Sequence, residues 1–273
     1  SELTGKKCHA DASYSEDQLK LLFKECKYPL KRQSQNQSTL AFVGDSHALS
    51  LLNAKKILNN SGFRVIHYSF AGCPFPAPPY GIYPFECNKF LINAENKIFQ
   101  DLKSGDSIII HNYHLKQLGG NNLLTKATQH NIFNKYKFRT NDSSTKIDLY
   151  MRGLNSLSEK ASKNSILIYL IGSPYRNGDI NLLRQWFRPY DKSSKTLVQE
   201  LENAKKMNKI ISNQIKKSQL KNVIFIDPID ILDQNCKKDP ISYRICFRDS
   251  DHLTDKSAKD LINYLLRDHL KTL

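Results

Sequence analysis

The chain has 273 residues, of which 40% are hydrophobic and 25% charged, so it can bury a core and is not expected to be disordered. Its formal net charge of +15 favours an anionic neighbour, but the lysines and arginines are scattered without a long basic block, which argues against a nucleic-acid-binding protein. The sequence contains no apolar run of about twenty residues, so we do not expect it to cross a membrane itself.

The predicted elements alternate between helices and strands. Residues 1–38 are polar and are predicted as an N-terminal connector or extension with one amphipathic helix, capped by Ser15. One catalytic domain is predicted over 39–273, with insertions at 114–146 and 176–195. Short apolar runs predict five strands, which are TLAFVGD, FRVIHYSF, DSIIIHNY, SILIYLIGSP and NVIFIDPID.

Helical patterns separate these strands. They are SHALSLLNAKKILNNSG, FLINAENKIFQDLKSG, IDLYMRGLNSLSEKASKN and LVQELENAKKMNKIISNQIKKSQ, and a final helix follows DSDHLT with Thr254 or Asp255 as its cap. Residues 231–248 are predicted as a loop. This alternation predicts an α/β fold, a three-layer doubly wound sandwich around a five-stranded, mostly parallel sheet. In such sheets the functional groups gather at the carboxyl ends of the strands, where GDSH, AGCP, HNYH and GSP lie here.

The six cysteines fall into three local pairs, which are Cys8 with Cys26, Cys73 with Cys87, and Cys236 with Cys246. Because none forms a CxxC, zinc-ribbon spacing is absent. The pairs favour three short-loop disulfides in an oxidising compartment, and unrelated free thiols in a cytosolic protein are the alternative. The sequence alone does not fix their connectivity.

A serine nucleophile and its partners are suggested by two distant segments. Ser46 follows Gly-Asp at the start of the first helix of the sheet domain, and His252 precedes the last helix. A serine hydroxyl needs a base to remove its proton, and a carboxylate can orient that base. Asp249 lies three residues before His252 and is the expected partner, while Asp251 stays an alternative. Taken alone, Gly-Asp-Ser is more often only a turn and a helix cap.

The two segments together resemble the SGNH (GDSL-like) esterase and acyltransferase superfamily. FVGDSHALSLL is similar to its first motif block and DSDHLTDKSA to its last. The GDSHA form, with Cys-Pro in the second block, resembles the periplasmic SGNH domains fused to membrane acyltransferases that O-acetylate bacterial surface polysaccharides. The resemblance implies oxyanion donors at the Ser46 amide, Gly72 and Asn112, although His111 stands where the family's third block has a glycine.

The same resemblance implies the partners. No cofactor is expected to be bound, and the acetyl group is expected to come from a donor, ultimately acetyl-CoA. The donor would act through an N-terminal membrane acyltransferase domain, and the chain would lie at the periplasmic or extracellular face of a bacterial membrane. We therefore expect an O-acyltransferase acting on a surface glycan. A secreted esterase and a non-catalytic glycan-binding domain are the alternatives.

The remaining candidates are less specific. His47 is expected to stand behind the nucleophile or cap its helix, and not to be the base. The spacing of three further histidines, at 67, 111 and 114, is too weak to predict a metal site, and we expect none. Glycan contacts are expected from Trp186, Arg184 and Arg188, since an aromatic ring beside guanidinium groups stacks on sugars and holds anions. A surface loop whose Trp186 covers an apolar patch is the alternative.

Overall fold

The structure is a computed structural model that describes residues 8–11, 13–28, 37–78, 85–119, 142–175, 195–236, 247 and 252–270. Its described strands are β1 (His9–Ala10), β2 (Lys27–Tyr28), β3 (Thr39–Gly44), β4 (Arg64–Phe70), β5 (Ser107–His111), β6 (Leu167–Ile171) and β7 (Val223–Ile226). Its described helices are α1 (Glu16–Glu25), α2 (Ser46–Leu51), α3 (Lys55–Asn60), α4 (Phe85–Asp101), α5 (His114–Leu118), α6 (Ser143–Lys163), α7 (Lys195–Lys217), α8 (Pro228–Cys236) and α9 (Asp255–Asp268).

The strands of the described residues form one seven-stranded sheet in the order β1-β4-β3-β5-β6-β7, with β2 antiparallel beside β4. The five predicted strands are all present and pair in parallel. The three-layer α/β prediction is therefore confirmed, and two short edge strands add to the predicted count. β5 is buried along its whole length, as expected of a strand covered by helices on both faces.

Helices cover both faces of the sheet. α2 packs against α9 on one face. On the other face, the Tyr68 hydroxyl of β4 donates to the carbonyl of Phe23 in α1, at 3.0 Å. α6 packs on β6 and α7 on β7, and these two helices also contact each other. Within the described residues, no helix combines the length and the apolar character that crossing a bilayer requires.

Two helical regions differ from their predictions. The helix predicted over 46–62 is divided into α2 and α3 by a 3₁₀ turn at Leu52–Ala54. Part of the predicted loop 231–248 is instead helical, because α8 covers Pro228–Cys236. Proline suits the first turn of a helix, and the Asp227 carboxylate accepts a hydrogen bond from the Ile229 N–H at 3.0 Å, which supports the helix start.

Residues 8–11 and 13–28, which lie in the predicted connector, are packed onto the sheet. Ser15 and Gln18 form a reciprocal capping box at the start of α1, whose apolar stripe of Leu19, Leu22 and Phe23 is buried. β1 and β2 both pair with β4. The structure therefore shows this segment contributing to the core beside β4.

Two disulfides join cysteines that the sequence pairs. Cys8 is bonded to Cys26 and Cys73 to Cys87, which fits an oxidising compartment. Cys246, and with it the third predicted pair, lies outside the described residues.

Removing the first disulfide is expected to destabilise the fold. The bond closes a loop with a sequence separation of 18, and loops of this size contribute about 3 kcal/mol by restricting the unfolded chain. We expect the double substitution Cys8→Ala/Cys26→Ala to lower the free energy of unfolding by about that amount in urea titrations without reductant. A loss below about 1 kcal/mol would contradict the expectation.

Candidate active site

The candidate site lies where the strand order reverses. β3 has β4 on one side and β5 on the other, and Gly44, the last residue of β3, is paired with Ser69 and His111. Ligands of open α/β sheets bind in the crevice at this position, beyond the carboxyl ends of the strands. The turn after β3, which carries Ser46, therefore lies beside the turn after β5, which carries Asn112.

Gly44 makes the turn possible. Its φ of +152° is one that residues with a side chain rarely adopt, and a Cβ here would stand 2.1 Å from the carbonyl oxygen of His111. The glycine therefore allows β3 to lie close to β5 and then turn sharply. Ser46 follows as the first residue of α2, where the helix N-terminus favours developing negative charge.

Asp45 fixes this turn from inside the protein. Its carboxylate is 1% exposed, caps α2 by accepting from the His47 N–H at 2.9 Å, and accepts from the Tyr113 N–H at 2.9 Å. Burial by itself would raise the pKa of Asp45, but the His47 imidazole and these hydrogen bonds outweigh it and hold the pKa well below its ordinary value. Asp45 is thus a buried anion that ties the turn of Ser46 to the end of β5.

His252 reaches Ser46 from the other end of the chain. Its Nε2 lies 2.8 Å from the Ser46 Oγ. Two contacts hold its loop, the β-bridge of Phe247 with Leu253 and the cap that Thr254 forms on α9. The expected approach of these two segments is therefore present in the structure. Asp249 and the alternative Asp251 lie outside the described residues, so the identity of the orienting carboxylate stays a prediction.

A second imidazole supports the first. The His47 ring stacks on the His252 ring with centroids 4.8 Å apart and an interplanar angle of 24°. The His47 Nδ1 lies 3.2 Å from an oxygen of Asp45. His47 thus stands between a buried carboxylate and the ring that faces Ser46, as its position after the serine suggested. Its pairing with Asp45 could not be predicted from the sequence.

The three predicted oxyanion donors differ in their surroundings. The backbone N–H groups of Ser46 and Gly72 form no hydrogen bond with another described residue. Gly72, with a φ of +71°, lies in the tight turn after β4. The side chain of Asn112 is fully buried and binds the backbone of Phe75 twice, accepting from its N–H at 3.1 Å and donating to its carbonyl at 2.7 Å. Asn112 thus joins the loops after β4 and β5.

The three histidines at 67, 111 and 114 are buried and neutral. Burial lowers the pKa of His67 and of His111 to about 3, and that of His114 to about 4. The His114 Nε2 lies 2.9 Å from the Tyr150 hydroxyl. The described residues contain no group of three potential ligands arranged to hold a metal ion. Trp186, Arg184 and Arg188 lie outside the described residues, so their glycan contacts stay predictions.

Residues 7–267 match the sequence profile of the family described as SGNH domain (fused to AT3 domains). The chain belongs to this family. Membership confirms the resemblance of the two end motifs and makes the SGNH domain a serine-dependent enzyme that acts on acyl groups. No curated protein sequence matches the chain significantly.

Solved structures share the fold of this SGNH domain at low sequence identity. The periplasmic domain of the lipopolysaccharide acetyltransferase of Salmonella ser. Paratyphi A superposes with a TM-score of 0.57 and 13% identity, over 97% of this chain and 91% of that one. The Bacillus subtilis protein YXIM superposes with a TM-score of 0.52 and 12% sequence identity, over 88% of this chain and 58% of that one. A catalytic mutant of the acetylxylan esterase Axe2 from Geobacillus stearothermophilus superposes with a TM-score of 0.48 and 14% sequence identity, over 86% of this chain and 95% of that one.

Proposed function

We propose that the domain transfers an acyl group, most simply acetyl, to a hydroxyl of a bacterial surface glycan, with Ser46 as the nucleophile. The observation that carries the proposal is the 2.8 Å separation of Ser46 Oγ and His252 Nε2 at the switch point of the sheet. At this distance His252 can accept the serine proton while Oγ attacks the acyl carbonyl. Asp249 is proposed as the carboxylate that orients His252.

The first half of the reaction forms an acyl-enzyme. As the Oγ–carbon bond forms, the carbonyl oxygen becomes an oxyanion, which the backbone N–H groups of Ser46 and Gly72 are proposed to bind. His252 then gives its proton to the leaving group, whose bond to carbon breaks. Asn112 is proposed to contribute by holding the loop after β4, because its amide is engaged with the Phe75 backbone.

In the second half a sugar hydroxyl attacks the acyl-enzyme. His252 takes the hydroxyl proton and returns it to Ser46 as the ester of the sugar leaves. The reaction uses only groups of the chain and its substrates, so no bound cofactor is proposed.

The glycan and the location are supported by the family. Its SGNH domains are fused to AT3 membrane acyltransferase domains, and one protein of the same fold is the periplasmic domain of a lipopolysaccharide acetyltransferase. We propose that this chain likewise works in the periplasm beside such a membrane domain, which passes it acetyl groups derived from acetyl-CoA. The two disulfides suit that compartment.

Mass spectrometry of the intact domain tests the nucleophile. Brief incubation with phenyl acetate is expected to add the mass of one acetyl group to the protein, located on Ser46. The label should be missing in Ser46→Ala. It should persist in Ser50→Ala, a matched control one turn further along α2 whose hydroxyl lies 3.4 Å from the Ser46 carbonyl oxygen. Equal labelling of wild type and Ser46→Ala would refute the proposed nucleophile.

A further inference from the structure

The N-terminal strand brings a histidine to the edge of the candidate site. In β1, His9 is paired with Ser69 of β4, and Ser69 is paired with Gly44 of β3. Residues paired in register point to the same face of a sheet, so these three residues form one row on the same face. Two strand spacings separate His9 from Gly44, about 10 Å. His9 therefore stands beside the turn that carries Ser46.

The hydrogen bonds of Ser69 favour one tautomer of His9. The Ser69 hydroxyl donates to the carbonyl oxygen of Cys8 at 3.3 Å, so its oxygen is left to accept. In this arrangement the His9 Nδ1, 2.9 Å from that oxygen, carries the proton and donates it. With Nδ1 protonated, the Nε2 of the neutral ring is a hydrogen-bond acceptor, and it forms no hydrogen bond with another described residue.

The ring is neutral and stands within electrostatic reach of the site. Burial lowers the pKa of His9 from its ordinary value, while Asp45 raises it and His252 lowers it. The residue is nevertheless partly exposed, so a ligand can reach it. The ring therefore offers a lone pair, and not a positive charge, within electrostatic reach of Asp45 and His252.

The strand that carries His9 is firmly held. The Cys8–Cys26 disulfide ties it to the end of α1. The Ala71 N–H donates to the Ala10 carbonyl at 2.9 Å, immediately before Gly72. His9 is therefore positioned relative to both the nucleophile turn and the turn of Gly72, which preorganised contacts with a substrate require.

We propose that His9 Nε2 accepts a hydrogen bond from a hydroxyl of the acceptor sugar, adjacent to the hydroxyl that attacks the acyl-enzyme. The attacking hydroxyl must give its only proton to His252, so a second hydroxyl is the group that His9 can bind. The substrate class is then a sugar with neighbouring hydroxyls, at least one of them unacylated. The inference rests on the proposed function and makes the N-terminal segment part of the acceptor site.

The reverse half-reaction tests this role with defined small probes. Acetylation of Ser46 is measured by intact mass, using as donor either a methyl glycoside that carries one acetyl group beside a free hydroxyl, or ethyl acetate. The rate with the glycoside divided by the rate with ethyl acetate reports the contact with the neighbouring hydroxyl. In His9→Ala we expect this ratio to fall about tenfold, the effect of losing one hydrogen bond. His9→Gln, which keeps an acceptor oxygen, should recover part of it.

The control is His269→Ala. His269 is also partly buried, but it follows the far end of α9, whose 14 residues span about 20 Å. This control should leave the ratio unchanged. An unchanged ratio in His9→Ala would overturn the proposal. An equal loss of acetylation rate with both donors would also overturn it, because His9 would then support the structure of the site without contacting the sugar. Failure of the proposed function would appear separately, as equal labelling of wild type and Ser46→Ala.

Discussion

Replacing His252 by alanine is expected to lower kcat for phenyl acetate hydrolysis by on the order of 10⁴-fold. The Nε2 of this ring, 2.8 Å from the Ser46 Oγ, is the group placed to remove the serine proton. Without it the hydroxyl stays protonated and is a weak nucleophile. Substrate binding and the backbone donors around Ser46 remain, so KM should change little.

The double variant Ser46→Ala/His252→Ala makes the expectation more specific. Residues that act as one unit do not add their effects, so the double variant should be no slower than either single variant. His269→Ala, a histidine substitution at the far end of α9, should retain the wild-type rate. A His252→Ala protein that keeps more than a tenth of that rate would contradict the assignment of the base.

The main strands could be predicted because their signal is local. In β5, consecutive buried residues such as Ile108, Ile109 and Ile110 identify a strand that is covered on both faces. β1 and β2 have two residues each and owe their conformation to pairing with β4. The sequence around them has no strand pattern, since their pairing depends on a chain segment far along the sequence.

The break in the first predicted helix likewise depends on a contact with a distant part of the chain. The sequence from 46 to 62 has no proline, and its one glycine stands at the end, so nothing local predicts the 3₁₀ turn. Asn53 in that turn donates to the Asp255 carboxylate of α9 at 2.6 Å. This contact joins residues 202 positions apart, and it packs the first helical region against the helix that follows His252.

Within the site, the proximity of Ser46 and His252 could be predicted and the surroundings of this pair could not. Ser46 and His252 follow from the order of two motifs in a sheet whose strand ends gather together. Asp45 accepts a hydrogen bond from the N–H of Tyr113, which is 68 positions away in the sequence. His9 is hydrogen-bonded to Ser69, which is 60 positions away. Those partners are set by the strand register, which the sequence does not reveal residue by residue.

The N-terminal segment also depends on a strand register that the sequence does not reveal. Its polar composition predicted a connector, and the amphipathic stripe predicted α1. The register of β1 additionally places His9 in line with Ser69 and Gly44.

The substitution Asp45→Asn is expected to destabilise the domain by about 3 kcal/mol at pH 7. One carboxylate oxygen accepts from the backbone N–H and imidazole of His47, and the other accepts from the Tyr113 N–H. Asparagine has only one acceptor oxygen, so its amide N–H₂ would face a backbone donor at a position that is 1% exposed. Urea unfolding of the two proteins measures the difference.

The difference in the free energy of unfolding between wild type and Asp45→Asn should depend on pH if the negative charge of Asp45 is its cause. The pKa of Asp45 is lowered in the folded state, so its contribution is complete above the ordinary pKa of 3.8 and is lost as the pH falls through the folded value. At pH 3 the gap between wild type and Asp45→Asn should therefore be about 1 kcal/mol smaller than at pH 7. A gap that is the same at both pH values would show that shape, and not the buried anion, accounts for the loss.

A matched control is available on α6. Asp142 caps that helix as Asp45 caps α2, accepting from the Thr145 N–H at 2.7 Å, but its side chain is exposed. Asparagine caps a helix about as well as aspartate, and water can serve the remaining amide group. Asp142→Asn should therefore change the free energy of unfolding by less than about 0.5 kcal/mol. A loss equal to that of Asp45→Asn would mean that capping alone, without the buried link to β5, explains both.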